Sequence, residues 1–401
     1  MKKKLFGIVL AIFMFAPCIM AVTAWGEPEN IAVNEISLSE TTKILTVDDT
    51  FTLVASVNPE NASDKSVTWT SSNASIATVS DSGLVTAVGA GVADVTVTSK
   101  SDSTKTAVCH ITVNEPYIAI GSSGVEESST HYSNLKDAIN ATDATNNEIF
   151  LHGNFKLNET LNINKTHKLI ITGTGNSTIS ASETFDKENN VSLVKITGSN
   201  DVDISGVKFN ANAKCRVMAI NTTGNVKLFR SAILGGLIED TSNWAPGLFI
   251  TGTSKVTVQS CYFADNKNYD STITESNPTI YYATDIWAGS ETVVTIKDDC
   301  TIGKVVKNAN YAGKSNSMLI VLMTNGGRID NLFLQYDEYF GKTNSIANKG
   351  TGYAGAVLKF VSGDIKALHV ADSENNVSTI DNPEVGFLYK AGEDKKAIPL
   401  A

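Results

Sequence analysis

Asp201 and Asp203 stand two residues apart in the run Asn200-Asp-Val-Asp-Ile204. On a strand both carboxylates would share one face. Such a pair could serve acid–base chemistry on a sugar or help to hold a cation. Ca²⁺ takes about six to eight oxygens, and only these two acids converge, so no metal and no cofactor is expected. The plainer reading of this pair is a solvated sheet face with an Asp–Lys ladder. Asp298-Asp299 and Asp337-Glu338 are adjacent in sequence. Neighbours on a strand point to opposite faces, so these pairs need a loop to cooperate. Two catalytic carboxylates would also have to sit about 5–9 Å apart across a sugar. Cys109, Cys215, Cys261 and Cys300 form no CxxC and no metal-ligand spacing, and the five histidines are scattered. No thiol–imidazole nucleophile is indicated.

Aromatic residues give a second signal. Phe249 and Trp287 fall at corresponding outward positions of successive strands, with Trp244, Tyr281 and Tyr282 in the flanking loops. Tyr336 and Tyr339 lie in Tyr336-Asp-Glu-Tyr-Phe340, ahead of a Gly-rich stretch at 348–355. Exposed rings near amides and acids suit saccharides, which offer an apolar C–H face and hydroxyl edges. These seven residues are the predicted ligand-binding set. The competing reading is that the rings pack beneath long loops as satellite clusters.

The elements that must position these residues form a degenerate repeat. With Φ for an apolar residue, Φ-x-x-Φ-x-Φ occurs at Ile204/Val207/Phe209, Val258/Cys261/Phe263, Ile329/Leu332/Leu334 and Ile365/Leu368/Val370. Looser copies centre on Leu228 and Ile296, and anchor spacings run from 24 to 38 residues. Before several copies comes another strand and a polar turn, as in Val194-Lys-Ile196 before Gly198-Ser-Asn200. Strand, turn, strand, bend, strand is one coil of a parallel β-solenoid. Ile204, Leu228, Val258 and Ile296 are then inward; Asp203, Lys227, Thr257 and Thr295 face out. Cys261 and Cys300 occupy nearly matching inward sites, where a thiol ladder is the plainer reading and a disulfide needs Cα atoms within about 7 Å. Ser133 to Asn140 reads as a short helix capped by Ser133, with Leu135, Ala138 and Ile139 on one face. Together with EIFLHGNFKLNETLNI, KLIITGTGNSTI and VKITGSNDVDISGVKFN, this half resembles the right-handed parallel β-helix of the pectate-lyase-like superfamily. The resemblance runs from about Tyr132 to Val370 and implies a fold more than a chemistry. Neither the calcium-binding acid cluster of its lyases nor the paired-Asp and Gly-His-Gly signature of its polygalacturonase branch is present. A second sandwich or jelly roll is the rival architecture.

Ahead of the repeat, Phe51, Leu53, Ala55 and Val57 alternate with polar residues, and turn signals recur at Asn58-Pro59, Ser71-Ser72-Asn73 and Asp81-Ser82-Gly83. The segment Lys65 to Val97 resembles the group-2 bacterial immunoglobulin-like domain through Val67-Thr-Trp69, Ile76-Ala-Thr-Val79 and Gly83-Leu-Val-Thr-Ala87. That resemblance implies a small β-sandwich of exported or surface bacterial proteins. Trp69 and Cys109 are expected in its core. Lys2-Lys3-Lys4, an apolar run from Leu5 to Phe15 and small residues up to Ala24 read as a cleaved signal peptide. Pro17 before Cys18 does not fit a lipobox, and no apolar tail or sorting-type motif stands near Leu400-Ala401.

The expected organisation is therefore all-β: residues 1–24 a signal peptide, 31–114 the sandwich, 115–131 a linker and 132–401 the β-helix. The chain carries a formal net charge of −10 and three arginines, Arg216, Arg230 and Arg328. That balance argues against nucleic acid, which needs a basic face. No membrane span is expected after signal cleavage, and localisation is extracellular or at the cell surface. The favoured function is non-catalytic binding of a polysaccharide or a host or cell-surface glycan, with the sandwich as spacer. A polysaccharide lyase or glycosidase in the same groove, with Asp201 and Asp203 as its acids, and a structural envelope component are the alternatives.

Overall fold

The computed structural model describes residues 30–186, 191–238, 245–268, 284–289, 291–309, 318–324, 326–336, 357–371, 377–390 and 398–399. The signal peptide expected at 1–24 lies outside them. Strands dominate, with one helix among the described residues, Leu135–Ala141.

The N-terminal sandwich pairs Thr42–Thr46, Thr106–Asn114, Gly91–Ser99 and Val67–Ser71 in one sheet. Thr50–Thr52, Leu84–Ala87 and Ala77–Val79 form another, and Glu35–Leu38 pairs with Ala55–Asn58. Leu53, Val85, Val95, Cys109 and Ile111 are buried between them. Trp69 is partly buried and bridges this cluster to a second one around Ile36 and Val97. Gly83 has φ +80, and a Cβ there would run into the Leu53 carbonyl oxygen, so the turn requires glycine.

The second unit is a parallel β-helix with three strand faces. Face 1 stacks Leu161–Ile163, Ser192–Gly198, Arg216–Thr222, Leu248–Ile250 and Ile286–Ala288. Face 2 stacks the start of Leu169–Ala181 with Val202–Ser205, Asn225–Phe229, Lys255–Gln259, Val293–Asp298, Met318–Met323 and Val357–Ser362. Face 3 stacks Lys208–Asn210, Ala232–Leu234 and Tyr262–Ala264. The predicted inward column holds: Ile204, Leu228, Val258 and Ile296 pair in register and are buried. Their outward neighbours Asp203, Lys227, Thr257 and Thr295 pair alongside.

The later anchors depart from expectation. Ile296 is followed on its column by Val321 and Phe360. Ile329 and Ile365 stack instead with Ile302, on face 3. The reason is that Thr301–Ala309, Arg328–Tyr336 and Asp364–Ala371 run through faces 3 and 1 as single strands, so the same apolar spacing there spans a different corner.

The corner between faces 2 and 3 is built from one left-handed residue per coil. Gly206 (φ 67), Arg230 (φ 46), Ser260 (φ 52) and Asp298 (φ 60) occupy it in turn. Non-glycine residues pay about 1–2 kcal/mol for this conformation. Coil-to-coil hydrogen bonds hold it: Gly206 N donates to Phe229 O, and Arg230 N to Gln259 O, each at 3.0 Å. Ser231, Cys261 and Cys300 follow it on successive coils. The Ser231 hydroxyl donates to Phe229 O, and the Cys261 amide donates to Cys300 Sγ at 3.4 Å. The thiol ladder therefore replaces a disulfide, and all four cysteines described are free and buried.

Of residues 115–131, expected as a linker, those from Tyr117 onward pair into the sheet of the β-helix. Tyr117–Ser122 pairs antiparallel with Val125–Tyr132 and with Glu148–Leu157. Ser123 (φ 55) and Gly124 (φ 79) make a two-residue turn with both φ values positive, the geometry that matches strand twist in a hairpin. The Ser/Gly content marked a tight turn and not a flexible link. The helix lies over this first coil with Leu135, Ala138 and Ile139 buried in the common core. Its cap is Asn134, whose side chain accepts from Lys136 N at 2.8 Å, and not the predicted Ser133.

Two measurements check this account. Leu228→Ala empties a fully buried site and should cost about 2–5 kcal/mol in denaturant unfolding, whereas exposed Lys255→Ala should stay within about 0.5 kcal/mol. Burial pushes the Cys261 and Cys300 thiols up to about 12 and about 11. Folded protein at pH 8 should leave both unreactive to a thiol reagent until denaturant is added. Unfolded thiols ionise where folded ones do not, so their contribution to stability is complete at neutral pH and falls as pH rises above about 9.

Candidate functional site

Face 1 carries the aromatic residues that the sequence places outward. Lys195, Ala219, Phe249, Trp287, Val306, Phe333 and His369 follow one another in register along the axis. Phe249 and Trp287 stack with centroids 4.8 Å apart and planes 21° apart. Phe333 and His369 stack at 4.2 Å and 13°. None of these rings belongs to the solenoid core, so the outward assignment of Phe249 and Trp287 holds.

Their accessibility is another matter. Trp287 is only 3% exposed and forms a separate cluster with Ala245 and Val306, packed by half-buried Phe249 and Phe333. Neighbouring coils are about 4.8 Å apart, close to a ring-stacking distance, so aromatics on one column turn their faces to each other. Phe249 has Trp287 on one side, and the Arg216 guanidinium lies 4.3 Å from its centroid. Little ring face is left for a sugar. Tyr336 lies within the strand Arg328–Tyr336. Trp244, Tyr281, Tyr282 and Tyr339 fall outside the described residues.

Cations flank the stripe. Arg216 is buried; its Nε donates to Ala245 O at 2.9 Å, while Nη2 has no hydrogen-bond partner among the described residues. Burial brings the guanidinium down to about 10. Lys304 Nζ stands 4.9 Å from the Phe333 centroid, and burial lowers it to about 8. His369 is lowered as well, by burial and then by the charge of Lys304. Buried Asp285 is raised by desolvation, against three donors that favour its charged form: Asn266 Nδ2 at 2.8 Å, Gly303 N at 2.7 Å and Lys304 N at 3.2 Å.

Asp201 and Asp203 lie apart from this stripe, on the approach to and within face 2. Asp201 accepts both the backbone amide and the side-chain amide of Asn225, at 2.8 and 2.9 Å, which hold its carboxyl below the usual range. Asp203 pairs with Lys168 at 2.5 Å. Each acid is tied to an adjacent coil as the ladder reading expects.

The sequence reasoning missed Tyr262. It sits on face 3 within Cys261-Tyr-Phe263, at 52% exposure, and no ring stacks on it among the described residues. It lines an open cavity of about 310 Å³ with Ser177, Gly206, Lys208, Arg230, Ala232 and Ser260. The signal lay in the column Thr178, Lys208, Ala232, Tyr262, in which a ring follows a small residue.

Comparison with known proteins bears on the sandwich. Residues 32–110 match the family model described as bacterial Ig-like domain (group 2). A 3-O-alpha-D-galactosyl-alpha-L-arabinofuranosidase of Bifidobacterium longum subsp. longum is 44% identical over 71 residues, 18% of this chain and 6% of that protein. An Ig-like virion protein of Serratia phage KSP90 is 42% identical over 86 residues, 21% of this chain and 33% of that one. A crystal structure of an EHEC O157:H7 intimin mutant aligns with 22% of this chain and 51% of its own, at 27% identity and a TM-score of 0.18. The chain spans a third or less of the length of these two curated relatives. Residues 32–110 are thus a bacterial Ig-like domain of group 2, followed in the same chain by a parallel β-helix.

Proposed function

We propose that this is an exported, surface-displayed protein whose β-helix binds saccharides without cleaving them, with the Ig-like domain as its spacer. We read the β-helix as pectate-lyase-like, from its cap helix and its strand-turn-strand coils. The observation that carries binding over catalysis is the state of the outward acids. Asp201 accepts two hydrogen bonds from Asn225 and Asp203 pairs with Lys168, so each is engaged by a neighbouring coil and not paired with the other across a substrate groove. A general acid at neutral pH needs a raised pKa, and Asp201 is shifted the other way. Spacer duty fits the Ig-like domain: Glu115 and Pro116 alone separate its last strand from the first strand of the β-helix. The match of residues 32–110 to the bacterial Ig-like domain (group 2) supports an exported, surface setting. The galactosyl-arabinofuranosidase and the virion protein share only part of this chain's sequence, and neither carries a reaction over to it.

The test is a panel of uronate-rich and neutral polysaccharides, scored both for retention in affinity electrophoresis and for new reducing ends or unsaturated uronates. Retention without cleavage is expected, unchanged in Asp201→Ala and Asp203→Ala. Turnover that either substitution abolishes would replace this reading with that of a lyase or glycosidase.

A further inference from the structure

The cavity around Tyr262 lies away from the aromatic stripe of face 1, at the corner between faces 2 and 3. Three features set it apart from an ordinary corner. First, Ala232 stands between Lys208 and Tyr262 on consecutive coils, so a small side chain floors a gap of roughly 10 Å between the flanking levels. Second, Tyr262 forms one wall with its ring largely exposed, whereas Phe249 is covered on both sides. Third, a bulky arginine occupies the left-handed corner position that glycine and serine fill on the neighbouring coils. The guanidinium of Arg230 is held over Phe229 at 4.8 Å, beside the cavity that Arg230 lines.

The charges define the ligand. Lys208 and Arg230 are exposed cations on the lining, and Lys227 lies nearby over Phe229 at 5.3 Å. Asp299 lies outside the lining, next to Ser260; the Ser260 hydroxyl and, to a smaller extent, the charge of Arg230 hold its carboxyl below the usual range. Two lining cations in a chain of net charge −10 are too few for nucleic acid. They are enough for one acidic group on a ring that also needs an aromatic wall and hydroxyl partners. We propose that the corner cavity lined by Lys208, Arg230, Ala232 and Tyr262 binds an anionic sugar unit of a polysaccharide. Its carboxylate or sulfate meets Lys208 and Arg230, its ring lies over Ala232 against Tyr262, and its hydroxyls reach Ser260. The inference rests on the saccharide-binding reading and names a ligand class and a site for it.

The test uses the whole protein in calorimetric titration with a galacturonate oligomer, a sulfated galactose oligomer and the neutral galactose oligomer of the same length. At least one acidic oligomer should bind, and the neutral one about tenfold more weakly or not at all. Which acidic oligomer is preferred identifies the anionic group. Tyr262→Ala should weaken that binding about tenfold, and Lys208→Gln or Arg230→Asn should weaken it and flatten its dependence on salt. Asparagine is chosen because it tolerates the left-handed corner. Lys304→Gln, on face 1, should leave it unchanged. Equal binding of neutral and acidic oligomers overturns the inference, and so does acidic binding that ignores all three cavity variants, although saccharide binding then stands. Binding by neither acidic oligomer also overturns it; the broader reading falls only if the polysaccharide panel is not retained either.

Discussion

Coil-on-coil stacking is the constraint from which the rest of this β-helix follows. Each coil repeats its strands about 4.8 Å along the axis, so every side chain meets its counterpart above and below before it meets anything else. Inward, this gives the column Ile204, Leu228, Val258, Ile296, Val321 and Phe360, in which each residue closes the core of the last. At the corners it converts a strained left-handed residue into a repeated hydrogen-bonded bend, and it places Ser231, Cys261 and Cys300 where hydroxyl and thiols serve neighbouring backbone groups. Outward, the same spacing decides which aromatic rings can be used. Rings on consecutive coils consume one another's faces, as Phe249 and Trp287 do, while a ring beside an alanine keeps its own.

A stack needs ends, since open strand edges invite unwanted pairing. At the N-terminal end the hairpin Tyr117–Ser122 and Val125–Tyr132 adds antiparallel strands to the first coil, and the helix covers the core beneath. The Ig-like domain abuts this end: a Cβ on Gly153 would stand 2.5 Å from Thr46 Cγ2 of the sandwich. Antiparallel pairing returns at the other end, where Val377–Asp381 and Phe387–Lys390 close the last coil. Parallel stacking is thus confined between two antiparallel caps.

Much of this was legible in the sequence wherever local pattern determines structure. The register Asp203, Lys227, Thr257 and Thr295 could be read because the apolar spacing around it repeats on four coils. The register after Ile296 could not, because the bend between faces 3 and 1 straightens and identical spacing then wraps a different corner. The hairpin at 117–132 was hidden because Ser and Gly serve equally in a linker and in a tight turn. The direction of Phe249 and Trp287 was readable, but their burial was not. Exposure on a solenoid depends on the residue one coil away, some thirty positions off in sequence, and not on the flanking residues. Tyr262 was overlooked for the same reason: within Cys261-Tyr-Phe263 it is only the residue between two inward anchors, and its freedom comes from Ala232.

The ladder also separates binding chemistry from catalysis. A carboxylate that stands on a solenoid face meets donors from adjacent coils at fixed spacing, and those donors favour its charged form. Asp201 beneath Asn225 is lowered in this way. Among the described carboxylates, Asp285 is the one shifted upward, as a general acid would require. Yet its two oxygens are clamped by Asn266, Gly303 and Lys304, and it is 6% exposed. It joins coils where a catalytic acid would have to face a substrate. Cations divide between two fates. Arg216 is buried and Lys304 half-buried beside the aromatic stripe of face 1, whereas the long side chains of Lys208 and Arg230 stay at the surface. A molecule of net negative charge thereby exposes positive groups at the corner where a ring also lies open.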